Sequence, residues 1–246
     1  MTLPSGLERA LAALAGRRPL LVASDYDGVL ARLRDEPSEA VPEPGVAEAL
    51  GRLAAVPGVT VALVSGRGVD DLRSTSGLTG TFRWIGSHGA EVDGPVPPAV
   101  AARRDRLAAE LGPLVAGTPG ARLEVKPASV AVHVRQVADR AAGAALLARV
   151  ATDVDPSLTE KPGKDVLELA DTDADKCSAL LRLRGELGAA GVLYLGDDVT
   201  DEDAFRALGD DDVTVKVGDG DTAAGHRVAD PDGVLAVLRR LADLLA

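Results

Sequence analysis

Apolar residues recur at Leu7, Leu11 and Leu14, a helical spacing closed by Arg17-Arg18-Pro19. The run Leu20 to Ala23 that follows is too short for anything but a buried strand, and it ends in Asp25-Tyr26-Asp27-Gly28. A helix is predicted around Val46 to Leu53 and a strand from Val59 to Val64, ending at Ser65-Gly66-Arg67. A further strand, Phe82 to Ile85, delivers Gly86-Ser87-His88-Gly89, and Pro95, Pro97 and Pro98 then read as a rigid hinge. From Ala99 the style changes to a long Ala/Arg/Leu helix. Two alternating strands follow, Leu123 to Lys126 and Ser129 to Arg135, then a helix from Asp139 to Val150 and a strand from Val166 to Leu169.

The chain then returns to its first style. A helix begins near Lys176, the strand Val192 to Leu195 runs into Gly196-Asp197-Asp198, and a helix follows Thr200. A strand spans Val213 to Val217, and Asp230-Pro231-Asp232 opens the last helix. The pattern predicts an α/β fold, a mostly parallel sheet flanked by helices, with an α+β block inserted between its two halves. The predicted division is a core of residues 1–97 and 172–246 and an inserted unit of residues 98–171. In open parallel sheets ligands bind beyond the carboxyl ends of the strands, where the charged clusters lie.

Composition narrows the chemistry. With 246 residues and 46% hydrophobic content the chain is long enough to bury a proper core. A net charge of −11 argues against nucleic acid and anionic membrane as partners, because both need a basic face. The single cysteine, Cys177, makes no internal disulfide, and no long charge-free apolar run is present, so a cytoplasmic protein is expected. Aromatic residues are only 2%, so a bound sugar would be held by polar and charged groups rather than by stacking.

Asp25 and Asp27 flank one residue straight after a strand; alone, such a triplet is usually a turn. The second acidic pair, Asp197-Asp198, again follows an apolar strand. Four carboxylates in one pocket repel each other unless a hard dication neutralises them, and Mg²⁺ suits oxygen ligands. Beside such an ion a carboxylate can attack phosphorus while a second acts as acid and base. Lys176 and Ser65 are candidates for holding the phosphoryl oxygens. On spacing alone, a solvated first-turn lysine and a plain Ser-Gly-Arg turn remain equal alternatives.

In order, Asp25-Tyr26-Asp27-Gly28, Ser65, Lys176 and Gly196-Asp197-Asp198 resemble the four motifs of haloacid dehalogenase phosphatases. The resemblance implies Asp25 as nucleophile, Asp27 as general acid/base, and Ser65, Gly66 and Lys176 as phosphate holders. It implies Asp25, Asp27, Asp197 and Asp198 around Mg²⁺, with a main-chain carbonyl of Asp27 among the ligands. The inserted block would be a substrate-choosing cap of the C2B type. More narrowly, Leu63-Val64-Ser65-Gly66-Arg67, Gly86-Ser87-His88-Gly89-Ala90-Glu91 and the stretch from Gly196 to Phe205 look like the trehalose-6-phosphate phosphatases. That resemblance implies Arg67, His88, Glu124, Lys126, Arg135 and Glu168 as substrate contacts. It also implies a monomer acting on a small phosphosugar and paired in function with a trehalose-6-phosphate synthase.

The chain departs from the family pattern at Val29, Val134, Cys177 and the stretch Asp171 to Asp175; the last two adjoin Lys176 and leave Lys161 and Lys164 as nearby competitors for the lysine role. Another phosphorylated disaccharide or pseudo-disaccharide would suit the same polar groups. A silent phosphosugar-binding module is the reading of a different class. For His133 an ordinary, partly buried histidine is expected. The cap is expected to swing about Pro95 to Pro98 and Asp171 to Asp175.

Overall fold

The computed structural model describes residues 3–153, 155–170 and 174–246. Its elements begin with α1 (Ser5–Leu14), β1 (Leu20–Ser24), α2 (Val46–Ala54), β2 (Val59–Val64), α3 (Val69–Ser76), β3 (Phe82–Gly86) and β4 (Glu91–Val92). Next come α4 (Pro98–Ala116), β5 (Arg122–Val125), β6 (Ser129–His133), α5 (Arg140–Asp153), β7 (Thr159–Gly163) and β8 (Val166–Ala170). The chain ends through α6 (Lys176–Leu187), β9 (Gly191–Gly196), α7 (Glu202–Ala207), β10 (Val213–Val217), β11 (His226–Val228) and α8 (Pro231–Leu245). They fall into two units, one of residues 1–93 and 174–246 and one of residues 94–173.

The first unit is built on a seven-stranded sheet in the order β11-β10-β9-β1-β2-β3-β4, parallel except where β4 turns back on β3. Every residue of β1 is buried, which fits a central strand covered on both faces. Alternation sends its side chains into two layers. Leu20 and Val22 join Leu7, Leu11, Leu14, Leu50, Leu53, Leu238 and Leu241 from α1, α2 and α8. Leu21 and Ala23 meet Leu180, Leu183 and Phe205 from α6 and α7.

The second unit is a four-stranded antiparallel sheet, β5-β6-β8-β7. Val130, Val132, Leu167 and Leu169 pack against Leu107, Leu111 and Val115 of α4 and Leu146 and Val150 of α5. Glu124, Ala131, Glu168 and Lys161 stand in one register row on the opposite, polar face.

Two expectations change. The sequence pattern predicts three strands in the block, but a fourth, β7, pairs with β8 at the sheet edge. The strand expected to reach Arg135 stops at His133, because the Val134 N–H is taken by the Asp165 carbonyl, 2.9 Å away, in the turn before β8. Of the two expected hinges, Pro98 opens α4, whereas Asp171, Thr172 and Asp173 lie outside the described residues.

Candidate active site

Strands β9, β1 and β2 are parallel neighbours, so the residues that follow them emerge at one edge of the sheet. Asp25 leaves β1, Ser65 leaves β2 and Asp197 leaves β9. Lys176 arrives from a different direction, as the first residue of α6. Asp175 caps that helix: its Oδ1 accepts the Ser178 N–H at 2.7 Å while its own N–H reaches Ser178 Oγ at 3.2 Å. The last residue of the stretch noted as a departure therefore fixes where the lysine begins.

Lys176 is buried, and its Nζ donates to Asp25 Oδ2 at 2.5 Å and to Asp201 Oδ1 at 2.9 Å. The lysine is thus bonded to the proposed nucleophile rather than solvated. Asp25, Asp197 and Asp201 offer oxygens all within 4.8 Å of one another. Burial pushes the Asp25 carboxyl up to about 7; Lys176 pulls it down, and Asp201 and Asp197 add to the rise. Asp197 is pushed up to about 6, again by burial first and by Asp201 next. Asp25 and Asp201 together raise Lys176 against its burial.

Asp201 is spoken for. Its Oδ1 also accepts the Tyr194 hydroxyl at 2.7 Å, and its Oδ2 accepts the N–H groups of Asp197 and Asp198, both at 3.0 Å. With four donors and no exposed surface, it serves to hold the Asp197 turn and the lysine. The side-chain cluster does not include the carboxylates of Asp27, expected near the metal through its main-chain carbonyl, and Asp198, expected in support. Arg67 holds both oxygens of Asp27, with Nε at 2.6 Å and Nη2 at 2.8 Å, and Asp198 is turned back onto the Val199 N–H.

The cluster fits a divalent cation. It offers oxygen ligands only, and its two acids, raised by burial first and by their acidic neighbours next, are groups whose charged form a dication would favour. Gly28 lets the Asp197 carboxylate come close to the Asp27-Gly28 main chain: a Cβ at Gly28, whose φ is +78°, would lie 2.0 Å from Asp197 Oδ2.

Ser65 is buried beside this group, its Oγ accepting the Arg67 N–H at 3.2 Å and its carbonyl accepting the His88 N–H at 3.0 Å. His88 sits at φ +55°, in the left-handed region, with its ring over Gly66; a Cβ there would come within 2.6 Å of His88 Cε1. Arg67, expected to touch substrate, donates to Asp27, to Asp71 at 3.0 Å and to the Pro37 carbonyl at 2.7 Å.

In the second unit, Glu168 is bonded to one other expected sugar contact, Lys126, through its Nζ, and to Ser129, whose Oγ donates at 2.7 Å. Glu124 Oε2 lies 2.6 Å from His133 Nε2, so the histidine kept as an ordinary one has an acid partner. Arg135 is exposed and outside the strand. Lys161 lies on β7 and Lys164 in the turn after it, both in this second unit.

Sequence reasoning gave no role to Asp201, Tyr194 or Lys216. For Asp201 the signal was its place four residues after Asp197, within reach of a tight turn. Among the described residues no helix is long and apolar enough to cross a membrane.

The sequence model of the trehalose-phosphatase family matches residues 23–231. A trehalose-phosphate phosphatase of Mycobacterium avium (strain 104) is 40% identical over 215 residues; the match covers 79% of this chain and 52% of that protein, so the chain spans about half the length of that relative. Among solved structures, an Aspergillus fumigatus trehalose-6-phosphate phosphatase superposes with a TM-score of 0.75 at 25% identity, covering 99% of each chain. A haloacid dehalogenase-like hydrolase from Bacteroides thetaiotaomicron shares the fold at a TM-score of 0.64 and 16% identity, covering 89% of this chain and 98% of its own. The motifs, the sheet that carries them and the extent of the family match agree: this chain belongs to the trehalose-phosphatase family.

Proposed function

We propose that the chain hydrolyses trehalose 6-phosphate to trehalose and inorganic phosphate, with Mg²⁺ and through a phosphoryl group carried on Asp25. The observation that supports it most is the buried contact of Lys176 with Asp25, inside a cluster of three carboxylates whose oxygens lie within 4.8 Å of one another. Asp25 and Asp197 side chains with the Asp27 main-chain carbonyl would hold Mg²⁺, and Asp198 would support them. When bound, the ion neutralises the carboxylates and polarises the phosphoryl group.

An Asp25 oxygen attacks phosphorus as the bond from phosphorus to the sugar oxygen breaks, and protonated Asp27 gives its proton to that departing oxygen. Water then attacks phosphorus, Asp27 takes its proton, and the bond from phosphorus to Asp25 breaks to release phosphate. Ser65, Gly66 and Lys176 hold the phosphoryl oxygens. Arg67 orients Asp27, and His88 lies towards the phosphosugar. The second unit is the cap that chooses the substrate, with Glu124, Lys126, Arg135 and Glu168 as its sugar contacts. The protein works as a cytoplasmic monomer, in sequence with a synthase that supplies its phosphorylated substrate.

The test is phosphate release from trehalose 6-phosphate, glucose 6-phosphate and sucrose 6-phosphate, with Mg²⁺ or EDTA and an Asp25→Asn control. Preference for trehalose 6-phosphate, lost with EDTA and in the variant, supports the whole reading. Metal-dependent turnover of another compound overturns the substrate alone. No turnover of any compound brings forward a silent phosphosugar-binding module.

A further inference from the structure

Lys216, near the end of β10, is only 6% exposed and, among the described residues, makes no ion pair. Its Nζ donates to two main-chain carbonyls, that of Asp197 and, at 3.0 Å, that of Val217. A buried ammonium without an acid partner is costly. This one is placed by register: Lys216 stands opposite Gly196 across the β9–β10 pair, one residue before the proposed metal ligand Asp197. Its neighbours Val215 and Val217 face the core formed with α1 and α8, so alternation sends Lys216 to the other side of the sheet.

The Asp197 turn is consequently held at two points. Asp201 accepts the Asp197 N–H from one side, and Lys216 takes the Asp197 carbonyl from the other. With both polar groups of that peptide unit's residue fixed, the direction in which the Asp197 carboxylate leaves the main chain is fixed too. We propose that Lys216 is a positioning residue for the cation site, aiming Asp197 through its own carbonyl. This rests on the phosphatase reading only in supposing that the cation at this site is Mg²⁺.

Two effects of removing Lys216 oppose each other. Loss of a nearby positive charge favours cation binding electrostatically, whereas loss of the anchor frees the Asp197 turn and weakens it. The sign of the change therefore distinguishes a positioning role from a role as mere background charge. Groups that orient metal ligands typically alter affinity by about 10- to 100-fold when removed.

The experiment follows the melting temperature of wild type, Lys216→Met and Lys216→Arg against Mg²⁺ concentration, which yields the Mg²⁺ dissociation constant without any substrate. Lys216→Met should weaken Mg²⁺ roughly tenfold, and Lys216→Arg, which keeps charge and donors, should recover most of the loss. An unchanged or tighter constant in Lys216→Met overturns the proposal, as does a melting temperature lowered equally at every Mg²⁺ concentration. Should Lys216→Met fail to melt cooperatively, Lys216→Gln, which removes the charge and keeps a donor for the Asp197 carbonyl, should bind Mg²⁺ no more weakly than wild type, and a roughly tenfold loss there overturns the proposal. Wild type that binds Mg²⁺ but releases no phosphate would sink the phosphatase reading and leave this inference standing; wild type that binds no Mg²⁺ would sink this inference.

Discussion

Arg67 closes a two-pronged hydrogen bond on Asp27, donating to one carboxylate oxygen at 2.6 Å and to the other at 2.8 Å. The side chain of Arg67 is nearly enclosed and also rests over the Tyr26 ring, 5.7 Å from its centre. Asp27 and the hydrogen bonds to Asp71 raise the Arg67 guanidinium above its ordinary value, so it remains charged throughout. A planar fork of this kind fixes a carboxylate in orientation as well as in place.

Arg67→Ala should therefore lower kcat on the order of a hundredfold, the low end of what a positioned general acid contributes. Arg67→Lys should rescue little, because an ammonium cannot span both oxygens. Steady-state phosphate release measures both, and full activity in Arg67→Lys would show that the fork is dispensable.

Much of this site was legible because parallel strands announce their ends. Leu20 to Ala23, Val59 to Val64 and Val192 to Leu195 are largely apolar runs that give way to Ser24, Ser65 and Gly196-Asp197, and all three end at the sheet edge where Asp25, Ser65 and Asp197 stand. Strand β7 was hidden because Lys161, Pro162 and Gly163 break any alternation; a proline is tolerated there since β7 is an edge strand. For Asp201 the four-residue spacing from Asp197 was a signal, whereas the roles of Arg67 and Lys216 were beyond reach for another reason. Their roles depend on which way a turn throws a side chain, and neither residue type nor spacing encodes that.

Asp201 offers a sharper test of the buried network. Asn at this position turns one acceptor into a donor facing donors already present: Lys176 and Tyr194 on one side, the Asp197 and Asp198 N–H groups on the other. Asp201→Asn should cost about 3 kcal/mol, typical of breaking a buried charge pair. Denaturant unfolding measures it, and a cost below about 1 kcal/mol would mean that the network relaxes freely.

The raised acids fix the sign of a pH effect on metal-free protein. Asp25 at about 7 and Asp197 at about 6 both lie above the ordinary carboxylate value of 3.8. The folded chain therefore binds more protons than the unfolded chain between about pH 4 and pH 7. Through these two groups stability falls as pH rises across that window. Lys176, raised rather than lowered, stays charged in both states there and adds no slope. In EDTA the melting temperature should be higher at pH 5.5 than at pH 8. Added Mg²⁺ should raise it more at pH 8, because the ligands are then free of protons. A melting temperature in EDTA that climbs towards pH 8 would contradict the electrostatic picture of the cluster.

The helix cap ahead of Lys176 links stability to catalysis. Asp175 satisfies the Ser178 N–H, and Lys176 follows at once as a buried side chain aimed at Asp25 and Asp201. Asp175→Ala should cost about 1 kcal/mol, as the loss of an N-cap usually does. It should also lower kcat, because the first turn that holds Lys176 frays. Asp175→Ser restores a capping oxygen without the charge and should return most of both. The comparison of the two variants separates capping from charge: if serine restores stability but not kcat, the Asp175 carboxylate itself matters to turnover, and if it restores both, the cap is what presents the lysine.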